Sequence, residues 1–220
     1  MNSDIPKQYI VIEGHPVLYY SLYEFEMCPY VSEIVIVAAE QYHDMIMKNI
    51  VTAGGFSKVS AVTEGYNSVY NGLKKLKDVD YVMIHDGARP CINSELLHRL
   101  ITGVMTDEAV VPAVPSKDTI RLADDNGYVI STPRRDSVWN VQTPQTFKMA
   151  PLMEAFNKYM SSKDNVQVTD DAMIWEMYNE RPVRIIMGDY SNIKLTTSED
   201  LEPVKLFLKK TKKCLTWHNM

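Results

Sequence analysis

The run Tyr81-Val82-Met83-Ile84-His85-Asp86-Gly87-Ala88-Arg89-Pro90 changes character halfway along. Its first four residues are mostly apolar, the signature of a short strand buried on both faces. An acid, a glycine, a small residue, an arginine and a proline then follow. Gly87 permits close backbone approach, and Pro90 ends the strand. In an open α/β sheet, ligands sit just beyond the carboxyl ends of the strands. Asp86 is therefore placed to hold a cation and Arg89 a phosphate. A solvated aspartate and a surface arginine at a strand end is an equal reading of this stretch alone.

On either side, apolar runs alternate with helical patterns. Residues 34–38 and 109–114 read as buried strands, 9–12 and 59–62 as shorter ones, and 183–187 as a later one. Pro16 suits the first turn of a helix to about residue 25. Residues 40–50, 66–76, 94–105, 149–160 and 170–178 read as further helices, with Asn93 as an N-cap. The expectation is an α/β fold, a Rossmann-like, mostly parallel sheet flanked by helices. Residues 119–122 and 128–131 flank Asp124-Asp125-Asn126-Gly127, and Asn-Gly between β-prone runs predicts a hairpin. A lone hairpin is marginal, so it reads as a projecting β-hairpin arm. Residues 139–145 bring the chain back. One domain over 1–220, with an arm and return segment at 115–147, is the predicted organisation.

Composition excludes little. The net charge of −5 argues against nucleic acid as a partner, which wants a basic face. Cys28, Cys91 and Cys214 are scattered, which suits a reducing cytoplasm and offers no zinc site. Polar Met1-Asn2-Ser3-Asp4 does not read as a secretory leader, and no apolar run is long enough for a membrane span.

Single residues carry less. Lys7 follows Pro6 and reads first as solvated. Ser68 reads first as a helix cap. Thr132 and Arg135 lie at the base of the arm, where Arg134, Arg135 and Asp136 form a local charge cluster. Thr169-Asp170-Asp171 reads as an N-cap with acids in the first turn. Lys194, between Ile193 and Leu195 in a predicted strand end at 192–195, faces away from both, toward solvent or a cleft. Thr197 and Asp200 form a near variant of the capping box. No nucleophile triad, His/Cys cluster or P-loop motif is present.

Taken together, Pro6-Lys7-Gln8-Tyr9, the His85–Pro90 block, Trp139-x-x-Gln142-Thr143-Pro144-Gln145-x-Phe147, Thr169-Asp170-Asp171-Ala172 and Asn192-Ile193-Lys194-x-Thr196-x-x-Glu199-Asp200-Leu201 occur in order. In that register the chain resembles the 2-C-methyl-D-erythritol 4-phosphate cytidylyltransferase family over nearly its whole length. The sibling ribitol-5-phosphate cytidylyltransferase family is less similar in the Trp139 and Thr169 blocks.

The resemblance implies attack by a sugar-alcohol phosphate on the α-phosphorus of CTP, with Mg2+ or another divalent cation, in a homodimer joined through the arm. It implies that Lys7 stabilises transition-state charge and that Asp86 serves the metal and the substrate hydroxyls. Gly65, Ser68 and Gly87 would contact the nucleotide. Arg89, Thr132, Arg135, Thr169 and Lys194 would contact the substrate, and Lys148 would reach the partner's substrate from the return segment. Two departures stand out. The family's glycine-rich loop ahead of Pro-Lys-Gln has no counterpart here, and residues 63–68 lack the family's Gly-Gly-x-x-Arg. A sheet without its first strand is expected to have a hole at its switch point. Either the sequence is a piece of a longer chain, or the protein is an inactive nucleotide-binding homologue. The persistence of Lys7, Asp86, Arg89 and Lys194 favours the first.

Overall fold

The computed structural model of the chain describes residues 5–64, 68–162 and 167–215, without the side chains of Ser68 and 211–215. A 3-10 turn at Lys7–Tyr9 leads to a tight hairpin of β1 (Val11–Ile12) and β2 (His15–Pro16), where a strand over 9–12 was expected. Glu13 and Gly14 make the turn at positive φ, 49° and 89°. Pro16 then sits just ahead of α1 (Val17–Met27), as its fixed φ allows.

The chain continues through β3 (Ile34–Val37), a helical stretch with a short α2 (His43–Met45) and a π-turn at Ile46–Thr52, then β4 (Val59–Thr63) and α3 (Ser68–Leu73). The opening run supplies β5 (Tyr81–Ile84). α4 (Ser94–Asp107) starts as predicted, the Asn93 side chain accepting from the Leu96 N–H at 2.8 Å. β6 (Ala109–Pro115) leads into the arm, β7 (Leu122–Ala123) and β8 (Val129–Ser131). β9 (Trp139–Val141), β10 (Gln145–Lys148), α5 (Met149–Ser161), α6 (Asp171–Asn179), β11 (Arg184–Met187) and α7 (Leu201–Leu215) complete the order.

The larger sheet runs β11-β6-β10-β5, with β9 also on β6. β6 and β11 are parallel, as are β3 and β4 in a second, two-stranded sheet. β9 and β10 run antiparallel to the strands they pair with. The cause is the arm. A chain leaving the C-terminal end of β6 must come back down beside it before it can begin α5.

β6 is buried on both faces. Val111 packs with Phe147, Leu152 and Trp175 on one face, while Val110 packs with Leu96, Leu100 and Val104 of α4 on the other. That explains its unbroken apolar sequence. Between β3 and β5 the sheet is interrupted. Among the described residues β3 pairs only with β4 and β5 only with β10. A cavity of about 760 Å³ separates them, walled by Ile36 and Val37, by Val82 and Met83, and by Leu22 of α1. This is where the hole at the switch point was expected.

Candidate active site

The loop after β5 is wound tightly on itself. The Arg89 N–H donates to the Asp86 carbonyl at 2.9 Å, and the Ala88 N–H donates to Asp86 Oδ1 at 3.1 Å. At Gly87 a Cβ would come within 3.3 Å of Leu18 Cδ1, a contact that the leucine would have to ease by a few tenths of an ångström. Residues 192–196 lie along this loop. They are not a strand end as expected. A single bond, the Leu195 N–H to the Ala88 carbonyl at 2.8 Å, carries the register. Leu195 is buried beside Val17 and Val204, so Lys194 points the other way, and its ammonium meets Asp86 Oδ2 at 2.6 Å.

Burial alone would raise the Asp86 carboxyl. The Lys194 ammonium and the Ala88 N–H outweigh it and hold the group below its ordinary value. Arg89 is half-buried and donates from Nη1 to the Asn192 carbonyl at 2.8 Å. Lys7 donates to the Thr196 carbonyl. One carboxylate and three cations from the 3-10 turn, the β5 loop and the 192–196 segment thus meet at the carboxyl end of β5. Sequence placed all four in one site, and the structure brings them together.

The 194–196 segment is itself fixed from behind. Asp200 Oδ2 accepts from the N–H groups of Thr196 and Thr197 at 2.8 and 2.7 Å and from both hydroxyls. Those bonds, Thr197's backbone first, pull the Asp200 carboxyl down to about 2. Folding therefore gains from this group fully above the ordinary carboxylate value of about 3.9, and the gain is lost as pH falls through about 2. Asp200→Asn is expected to lower Tm by about 2–4 °C at neutral pH. The deficit should shrink below pH 4 and close toward pH 2. A deficit of constant size across that range in thermal melts would refute the assignment.

Thr169 lies near the same end of the sheet. Asp170 caps α6, accepting from the Met173 N–H at 3.0 Å and from Gln145 Nε2 at 2.8 Å. Gln145 in turn pairs with Ile84 of β5. Thr169 itself is exposed, and burial raises the neighbouring Asp171 to about 6. Thr132 and Arg135 stay on the exposed arm, bonded within it: Arg121 to Thr132 Oγ1 at 3.2 Å and Arg135 to Thr119 Oγ1 at 2.8 Å. Gly65 lies outside the described residues. The backbone of Ser68 opens α3, and its side chain is not described.

Lys148, expected to serve a partner's substrate rather than this chain's own, lies apart from this group. It pairs in register with Tyr81, at the opposite end of β5 from Asp86, and it is bound to Glu108 at 2.8 Å. Arg181 shares the same carboxylate at 2.5 Å. The arm leaves β6 at Pro115, whereas Lys148 lies beside the start of β6, past Phe147 opposite Ala109. The return segment runs the full length of β6 before reaching Lys148, which carries it away from the arm and from the β5 loop.

Sequence reading missed Thr143 and Asn192 as builders of the site. Thr143 Oγ1 accepts from the Asp86 N–H at 3.0 Å, and Asn192 Nδ2 donates to the Thr143 carbonyl at 2.9 Å. Asn192 has no exposed surface. A polar residue with that much burial is legible only in three dimensions.

A family model described as IspD, 2-C-methyl-D-erythritol 4-phosphate cytidylyltransferase, matches residues 1–210. A protein of that name from Lachnospira eligens is 41% identical over 213 residues, covering 95% of this chain and 93% of its own. One from Alkaliphilus oremlandii is 43% identical over 214 residues, covering 95% and 89%. The crystal structure of 4-diphosphocytidyl-2C-methyl-D-erythritol synthase from Anaerococcus prevotii superposes with a TM-score of 0.84 at 33% identity, covering 94% of this chain and 92% of that one. With the cationic cluster at the strand ends and sequence agreement running through nearly the whole fold, the chain belongs to the 2-C-methyl-D-erythritol 4-phosphate cytidylyltransferase family.

Proposed function

We propose that the chain transfers CMP from CTP to 2-C-methyl-D-erythritol 4-phosphate, a step of isoprenoid precursor synthesis. An oxygen of the substrate phosphate attacks the α-phosphorus, one P–O bond forms, the α–β bridge breaks, and pyrophosphate leaves. The family match favours methylerythritol phosphate over ribitol phosphate as the acceptor. Two anions must approach each other, so the site's task is to hold positive charge where negative charge builds. The cluster of Lys7, Arg89 and Lys194 around Asp86 is the observation that carries this reading.

Lys7 would stabilise the charge developing on the α-phosphate. Arg89, Lys194 and Thr169 would hold methylerythritol phosphate, and Asp86 would orient its hydroxyls. Gly65, Ser68 and Gly87 would line the nucleotide. Mg2+ typically takes one or two protein carboxylates and completes its shell with phosphates and water. Asp86 alone at the mouth fits such an ion, and among the described residues no cluster of three or more metal-ligating side chains exists to hold one without the triphosphate. The ion would offset charge on the phosphates. Lys148 we assign to the ion-pair cluster on Glu108 and not to the site.

We read 1–220 as one nucleotidyltransferase domain with the arm and its return at 115–147. The arm would join two copies, bringing Thr132 and Arg135 to the partner's site. A cytoplasmic enzyme fits the unpaired Cys28 and Cys91. Among the described residues no helix is long and apolar enough to cross a membrane.

Lys194→Ala tests the substrate side. Loss of one charged contact costs roughly 1.5–3 kcal/mol, so KM for methylerythritol phosphate is expected to rise about ten- to a hundredfold. CTP affinity by calorimetry should stay within about threefold. An equal loss of both ligands would place Lys194 on the nucleotide side instead.

A further inference from the structure

Four residues from three separate segments close a hydrogen-bonded ring behind Asp86 and Arg89. The Arg89 carbonyl faces His85 Nε2 at 3.1 Å. A carbonyl can only accept, so Nε2 carries the proton and Nδ1 is the acceptor. The Thr143 hydroxyl, 3.1 Å away, therefore donates to Nδ1. The Thr143 carbonyl accepts from Asn192 Nδ2, and the Asn192 carbonyl accepts from Arg89 Nη1. The ring thus returns to the residue it started from. It grips Arg89 at both ends, carbonyl and guanidinium. The Thr143 hydroxyl also accepts from the Asp86 N–H at 3.0 Å, which ties the carboxylate's backbone into the same frame.

Such a ring needs one member that accepts on one edge and donates on the other at a fixed span. A neutral imidazole does this. The imidazole packs edge-on against Phe25 at 5.4 Å, which fixes its plane.

We propose that His85 is a positioning residue. By its own bond to the Arg89 carbonyl, backed by the branch through Thr143 and Asn192, it holds Arg89 and the Asp86 backbone in the one arrangement that receives the substrate phosphate. This rests on Arg89 being the phosphate ligand, as read above. A misplacement of about 1 Å in such a site can cost about a hundredfold.

The test compares His85→Phe, which keeps the packing on Phe25 but breaks both bonds, with His85→Gln, whose amide can restore the donor to the Arg89 carbonyl. Arg89→Ala is the control for the underlying reading. His85→Phe is expected to raise KM for methylerythritol phosphate about ten- to a hundredfold. CTP affinity should stay within about threefold and Tm within a few degrees of the parent, and His85→Gln should recover most of the loss. If His85→Phe does not fold, His85→Asn, which can reach Thr143 but not the Arg89 carbonyl, replaces it with the same expectation. A normal KM in the His85 variants beside a raised KM in Arg89→Ala would overturn the positioning role alone. A normal KM in Arg89→Ala would overturn the reading of Arg89, and this inference with it. Parallel loss of Tm and of both ligands, or no advantage of Gln over Phe, would reduce His85 to an ordinary core residue.

Discussion

Lys7→Ala is expected to lower turnover by about a hundredfold to a thousandfold, the loss seen when one donor aimed at developing charge is removed. The structure gives a reason to single out Lys7 among the three cations. The Lys194 ammonium is already partly neutralised by Asp86 at 2.6 Å, and the half-buried Arg89 guanidinium lies in the field of the same carboxylate. The Lys7 ammonium is held by a neutral carbonyl, that of Thr196. A carbonyl orients the ammonium without cancelling its charge, and Lys7 is exposed at the mouth of the site. Its positive charge remains available to an entering phosphate. Pyrophosphate release at saturating CTP is the measurement, and CTP affinity should change far less than the rate. A loss smaller than about fivefold would remove Lys7 from the chemistry.

The second large effect concerns the arm. Its turn is well made, with Asp124 Oδ1 accepting from the N–H groups of Asn126 and Tyr128 at 3.0 and 2.9 Å and Gly127 at a φ of 85°. Its faces are bare. Tyr128 is 74% exposed, Ile130 68% and Val129 53%. Full burial of one such side chain is worth about 1.5–3 kcal/mol, and a two-fold partner offering its own arm is the simplest cover. In the proposed arm-to-arm dimer, Arg135 on the exposed arm is expected to reach the other subunit's site, and Lys148 sits at the far end of β6 from the arm.

Mixing Arg135→Ala chains with Lys194→Ala chains separates the possibilities. If the arm serves the partner, each mixed dimer has one site lacking neither residue, and random 1:1 mixing recovers about a quarter of the wild-type sites. If both residues serve their own chain, mixing recovers nothing. Deleting residues 119–131 should give a monomer by light scattering with little activity. A dimer that survives the deletion would dispose of the arm as the interface.

The strands and helices were largely legible because burial writes itself into local sequence. The apolar run of β6 marks a strand covered on both faces, and the Asn93 cap and the Asn126-Gly127 turn act within a few residues of themselves. Lys194 was also legible, for a related reason. Alternation put it opposite Leu195, and the geometry kept that alternation although no strand formed there. What only the tertiary structure decided are features whose cause lies far along the chain. The direction of β10 follows from the arm's departure at the end of β6, and this carries Lys148 to Glu108 at the far end of the sheet. The ring through His85, Thr143, Asn192 and Arg89 joins residues up to 107 positions apart, the span from His85 to Asn192. Local sequence determines which residues can be buried and which can turn. Which polar groups then meet is settled by chain packing, because each hydrogen bond of that ring requires a partner that no local pattern supplies.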